Sequence, residues 1–308
     1  MSALSLLGAL AAIAIYAGMF AVSRHGAANG LDGFDQTAIR FAVSGVLVLP
    51  FAWSGAGPAF RRLGLGRLLG LFVLGGAPYS AVFLGALVFA LVFAPVAYGA
   101  ALVPGLQPLA VIGISAIWLA HRPARPNFLG ALVCLGGLLL ILLDQQHAAL
   151  ATGEGAGLLI GIGLFVLAAT LWGGYAVALK AWNVEPGEVL ATTAPLSALL
   201  YVPVYLLWRG VDPVLSAPAS AVLLQVAYQG VLVGIVALVL YAWAVKTAGS
   251  AAVAALAPAM PVVAALISLV FLGEAPSALQ WAGLVVVTDG LLVGAIWPML
   301  RERQRHPA

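Results

Sequence analysis

Three polar side chains inside one long apolar run, Gln225, Tyr228 and Gln229, carry the clearest chemical message in the sequence. Their i, i+3, i+4 spacing puts them on one face of a helix. Polar groups inside an apolar span are costly, so they point to a site. Others of the same kind recur. Gln107 lies between Pro104 and Pro108, Tyr79 and Ser80 follow Pro78, Trp172 and Tyr175 share a face, and Tyr16 takes the equivalent place in the first run. Together they offer aromatic walls with amide and hydroxyl groups, a chemistry suited to a small polar or zwitterionic solute. Interhelical hydrogen bonds and interfacial aromatics explain any one of them equally well. Arg40, shortly after Asp32 and Asp35, has the planar fork that matches a carboxylate. Its competing reading is a snorkelling or ion-paired arginine at a membrane boundary. Tyr201, Tyr205 and Trp208 fit packing and an aromatic belt, Arg24 and His25 a boundary, and His121, Arg122 and Arg125 topology alone.

No pattern of a catalyst accompanies these residues. There is no nucleophile elbow, Walker loop, metal-spaced histidine cluster or pair of carboxylates at one depth. The expectation is no enzyme, no cofactor and no metal. The single Cys134 leaves no disulfide within the chain. Without an ATP-binding loop, concentrative work would draw on an ion or solute gradient.

The elements that must position the polar residues follow from composition. Hydrophobic residues make up 64% of the 308 and charged residues 7%, against roughly 25% charged in soluble domains. Such a chain needs a lipid bilayer around it. The net charge of +3 is spread over loops, so no nucleic-acid partner is expected. Apolar runs fall near 3–22, 36–53, 67–91, 95–119, 127–143, 156–180, 188–208, 220–245, 250–272 and 278–299. Each approaches the ~20 residues that span the hydrocarbon. With the N-terminus in the cytoplasm, all of the 13 basic residues except Arg24, Arg40 and Arg209 fall inside. Both termini are therefore expected in the cytoplasm, in a bacterial inner membrane.

The sequence also repeats itself. A shift of 153 positions lays Leu119 on Leu272, Pro108 on Pro261, Pro123 on Pro276, Gly130 on Gly283 and Gly137 on Gly290. The division is a first repeat 1–145, a linker 146–154, a second repeat 155–300 and a basic tail 301–308. Five helices is an odd number, so the halves should insert in opposite senses. The expected fold class is an all-α integral membrane protein of ten transmembrane helices as two inverted five-helix repeats, with a substrate site between them. Pro104 and Pro108 in one half, and Pro258 and Pro261 in the other, read as mid-helix kinks serving packing, or hinge and cavity lining.

Here the residues resemble a known family. Leu272-Gly273-Glu274, Gln280-Trp281-Ala282-Gly283, Tyr228-Gln229-Gly230-Val231-Leu232 and Tyr241-Ala242-Trp243-Ala244-Val245 are similar to the EamA-type branch of the drug/metabolite transporter superfamily, as are Ile39-Arg40-Phe41 and Pro104-Gly105-Leu106-Gln107-Pro108. The resemblance implies ten helices in two inverted repeats, often dimeric, exporting or exchanging small metabolites such as amino acids. It also implies that helices 1–4 and 6–9 surround the cavity, with 5 and 10 peripheral. His121 departs from an acidic position that Glu274 keeps, and Tyr16 stands where a tryptophan is common.

The expectation is thus a secondary transporter whose substrate meets Tyr16, Arg40, Tyr79, Gln107, Trp172, Tyr175, Gln225, Tyr228 and Gln229. A passive channel or a non-transporting assembly subunit is the alternative, and a homodimer through helices 5 and 10 is envisaged. Asp289, in the middle of the last run, reads either as a hydrogen-bonded acid at a helix contact beside Gly290 and Gly294 or as a proton carrier.

Overall fold

The computed structural model describes residues 3–74, 81–94, 96–120, 125–152, 155–248 and 256–305. Every regular element among them is helical. In chain order these are α1 (Ala3–Ala28), α2 (Gly33–Leu74), α3 (Ala81–Phe93), α4 (Val96–Trp118), α5 (Arg125–Thr152) and α6 (Gly155–Ala181). Next, α7 (Ala194–Arg209) is entered through Pro186–Glu188 and a wide π turn Val189–Thr193. A short Asp212–Ser216 helix leads to α8, which runs as Ala219–Gln225, a π stretch Val226–Val236 and Ala237–Ala248. Finally come α9 (Met260–Leu272), behind a 3₁₀ turn Ala257–Ala259, and α10 (Ala278–Arg305). Five spans are long and apolar enough to cross a membrane: Leu4–Ala28, Tyr98–Trp118, Ala156–Ala181, Val189–Arg209 and Ala219–Tyr241. Shorter apolar helices accompany them, such as Val82–Phe93 and Met260–Leu272.

The helices differ from the apolar runs in instructive ways. α2 does not stop near residue 53 but continues, past Pro50 and Pro58, to a break at Gly64 (φ 74°, ψ 162°). That positive φ suits glycine, and Arg61 and Arg62 therefore sit on helix. α5 and α10 reach Thr152 and Arg305, into the stretches expected as linker and tail. The two proline pairs also diverge. Pro104 and Pro108 lie within an unbroken α4. Pro258 falls in the 3₁₀ turn and Pro261 in the first turn of α9, where a missing N–H costs nothing.

Packing follows the repeat. α1 lies on α8 and α9, while α6 lies on α3 and α4; α2 pairs with α7, and α5 with α10. The 153-residue shift exchanges the first two sets and maps each of the last two pairs onto itself. On α5 and α10 small residues let two backbones touch. A Cβ at Gly130 would lie 2.5 Å from the Gly290 carbonyl oxygen, and one at Gly137 would lie 2.6 Å from that of Gly283. Rising numbers on one helix meet falling numbers on the other, so the two run antiparallel. Between these contacts the Cys134 thiol, 153 residues from its acceptor, faces the Val287 carbonyl at 3.5 Å. On the other pair, Gly45 abuts Ala198, again 153 apart. The apolar core fills the space among α1, α3, α4 and α6 with Phe20, Phe83, Leu87, Tyr98 and Phe165.

Candidate functional site

The first three turns of α2 are polar and yet closed off. Asp35, Gln36, Thr37, Arg40 and Ser44 are all 0% exposed. The helix starts on a reciprocal cap, which holds these side chains in register. Asp32 Oδ1 accepts from the Phe34 and Asp35 amides at 2.8 and 3.2 Å, and the Asp32 amide donates to Asp35 Oδ2 at 2.8 Å. Two turns further in, Arg40 points across the boundary between the halves. Its Nη2 donates to Gln229 Oε1 on α8 and lies 3.0 Å from Met19 Sδ on α1. Gln229 Nε2 donates in turn to Ser23 Oγ at 2.8 Å. Gly230 and Gly234 on the π stretch bring this part of α8 against Val43 and Ser44 of α2.

α8 sends the neighbouring polar groups to the same helix. Gln225 Nε2 donates to the Val22 carbonyl at 2.8 Å, and the Tyr228 hydroxyl donates to the Ile15 carbonyl at 3.0 Å. All three residues of the i, i+3, i+4 face thus reach α1. Tyr16 lies within electrostatic reach of Arg40 and Tyr241, and Tyr175 within reach of Tyr16. Trp172 belongs to both apolar clusters and meets Phe83 edge-on at 5.9 Å. Tyr16, Arg40, Trp172, Tyr175, Tyr228 and Gln229 therefore gather around the junction of α1, α2, α6 and α8. Gln107 is half-buried on α4. Tyr79 lies outside the described residues.

Arginine chemistry is divided differently from the sequence reading. Arg209 is an ion-paired boundary residue. It reaches Asp32 Oδ2 at 2.6 Å and Asp35 Oδ1 at 3.3 Å. Arg40 cannot be a snorkelling residue, because no part of it reaches the surface. Tyr205 does more than pack: its hydroxyl donates to Asp35 Oδ1 at 2.8 Å. Arg24 also does more than mark a boundary, pairing with Glu274 at 3.1 Å and donating to the Leu91 carbonyl. Asp289 is exposed on the flank of α10, and Gly290, beside it, is taken up by α5 within the chain. Ser23, Met19 and Arg209 went unnoticed as partners because nothing in their own neighbourhood marks them.

A family description and a solved structure agree with this architecture. The model of the EamA-like transporter family matches residues 3–143 and again 159–294. The protein is thus a multi-pass membrane protein and belongs to the EamA-like transporter family, a family of transporters rather than enzymes. A solved chain described only as "Crystal structure of protein" is similar at a TM-score of 0.57 and 23% identity. The match covers 95% of this chain and 98% of that one, and shows a shared fold. No functionally curated protein matches the sequence.

Proposed function

We propose that the protein is a secondary transporter, an exporter or exchanger of small organic metabolites such as amino acids. It works by alternating access between two inverted five-helix repeats, with ten membrane-crossing helices and both termini in the cytoplasm of a bacterial inner membrane. The antiparallel α5–α10 contact and the self-mapped contacts at Cys134–Val287 and Gly45–Ala198 support the inverted pairing, since a two-fold axis in the membrane plane leaves such contacts unchanged. A homodimer, if formed, uses the outward faces of α5 and α10.

The observation that carries the proposal is Arg40. A fully buried guanidinium stands on the boundary between the halves, where Gln229 Oε1 accepts from its Nη2 and Met19 Sδ lies 3.0 Å away, and its planar fork suits a substrate carboxylate. Gln229, Ser23 and Tyr16 then offer hydrogen bonds to the remaining polar atoms, and Trp172 and Tyr175 cover the apolar part. Solute counterflow in proteoliposomes tests this, scanning amino acids and other small carboxylates. Trans-stimulated uptake that falls at least tenfold in Arg40→Gln, with the variant folded, is expected. Flux without trans-stimulation identifies a passive channel instead, and no flux with any solute supports the non-transporting alternative. Unchanged counterflow in Arg40→Gln removes the carboxylate reading.

A further inference from the structure

The acid-lined entrance of α2 has a counterpart in the other half. Shifting Asp32 and Asp35 by 153 gives Glu185 and Glu188, which precede α7. The local structure repeats as well. The Glu185 amide donates to Glu188 Oε2 at 2.9 Å, the same backbone-to-acid contact that Asp32 makes with Asp35. Each acidic turn is gripped by an arginine at the far end of the partner helix. Arg209, closing α7, holds Asp32 and Asp35. Arg62, near the break in α2, holds Glu188 through Nε at 2.7 Å and through Nη2, which also donates to the Asn183 carbonyl at 2.9 Å. A glycine with positive φ follows each arginine, Gly210 at 73° directly and Gly64 at 74° two residues on, although the shift lays neither the arginines nor these glycines on one another. Residues 35 and 62 of α2 are about 40 Å apart by helix rise, so the two grips lie at opposite ends of the bundle.

Resting on the carrier reading above, we propose that these clusters are equivalent latches, and that the protein alternates by releasing one while the other holds. The Gly45–Ala198 contact lies between them. Counted along α7, it is 10 residues from Glu188 and 11 from Arg209. Rocking α2 on α7 about that midpoint opens one end and presses the other shut. The latches are unequal. At the first, Asp35 is 0% exposed, the Tyr205 hydroxyl adds a bond, and Arg209 lies 5.9 Å from the Phe34 ring and 6.0 Å from that of Trp208. At the second, Arg62 is 42% exposed, and water competes for the pair. Arg24–Glu274 closes the first end further; its image under the shift pairs a valine, Val177, with His121 and contains no acid. The end bearing Arg62 therefore opens first, and the resting protein faces the side on which Arg62 lies.

Distance measurements between spin labels in liposomes test this in a Cys134→Ala background. One pair, at Asn29 and Ser216, reports the Arg209 end; the other, at Leu65 and Asn183, reports the Arg62 end. Without substrate, the Asn183 pair should show a long-distance population and the Ser216 pair a short one. Arg209→Gln should lengthen the Ser216 pair and shorten the Asn183 pair, whereas Arg62→Gln should enlarge the open population at its own end alone. Asp35→Asn and Glu188→Gln repeat the comparison if either arginine variant fails to fold. Variants that move neither pair, or move both ends the same way, make the clusters static staples and overturn the proposal. Counterflow with immobile labels discards the latches and keeps the carrier; reciprocal label movement without counterflow does the reverse.

Discussion

Two helix pairs straddle the relation between the halves, and they are built from opposite materials. α5 and α10 meet over glycines, with main-chain atoms of one helix where side chains of the other would stand. α2 and α7 also touch closely, at Gly45 on Ala198, but the rest of their contact is side-chain packing around Phe41, Val48 and Tyr201, with charged groups at both ends. Lipid supplies no hydrophobic drive between helices, so a dry glycine seam gains its strength from close van der Waals packing, which is lost as soon as the backbones separate. A water-exposed ion pair such as Arg62–Glu188 breaks and remakes at low cost. The difference teaches which pair is the fixed seam and which can move.

The strongest way to break that contrast is at the seam. Gly290→Leu puts a Cβ 2.6 Å from the Cys134 amide nitrogen and 2.7 Å from the Gly130 carbonyl oxygen, and backbone has nowhere to go. It should cost about 3 kcal/mol or more and leave little folded protein, read by thermal unfolding in detergent. Gly45→Leu is the matching change at the other pair. There a Cβ would lie 2.4 Å from the Ala198 methyl group, so α2 and α7 must part, at a cost of about 1–3 kcal/mol, while counterflow drops steeply. If Gly45→Leu proves the more destabilising of the two, the assignment of seam and moving pair is reversed.

Smaller effects sharpen the comparison of the latches. The Arg62 guanidinium holds the Glu188 carboxyl below its ordinary value of 4.5. A depressed acid contributes stability above its unfolded pKa and loses it as pH falls through the folded one. The Arg62 end should therefore loosen below about pH 4.5, with Glu188→Gln abolishing that response. Arg62 is open to water, which screens the pair and keeps the change small. The least effect belongs to Asp289→Asn. Its side chain lies on the outer flank of α10, away from Arg40, and counterflow and its pH profile should stay within about twofold. Loss of pH-dependent counterflow in that variant would return Asp289 to the role of proton carrier.

Residue spacing made some of this legible beforehand and hid the rest. The shift of 153 was plain because glycines and prolines punctuate both halves, and the polar face of α8 was visible as periodicity. Arg40 and Arg209 were harder. Both stand near an apolar boundary, and only the path of α7 decides which of them meets Asp32 and Asp35. Ser23 and Met19 are ordinary neighbours in a helix until Gln229 and Arg40 arrive from elsewhere in the chain. The kink expected at Pro261 failed for a local reason: α9 begins one residue earlier, and a proline in a first turn bends nothing.

The self-mapped contacts also bear on descent. In an assembly of two identical five-helix chains, any residue on the two-fold axis would meet its own copy, and every substitution would be made twice. Joining the halves into one chain lifts that constraint. Cys134 now faces Val287, and Gly45 faces Ala198. Away from the axis the same freedom allowed an aspartate pair to persist at one end and a glutamate pair at the other. A symmetric ancestor would have presented identical faces to both compartments; a fused chain is free to acquire a direction.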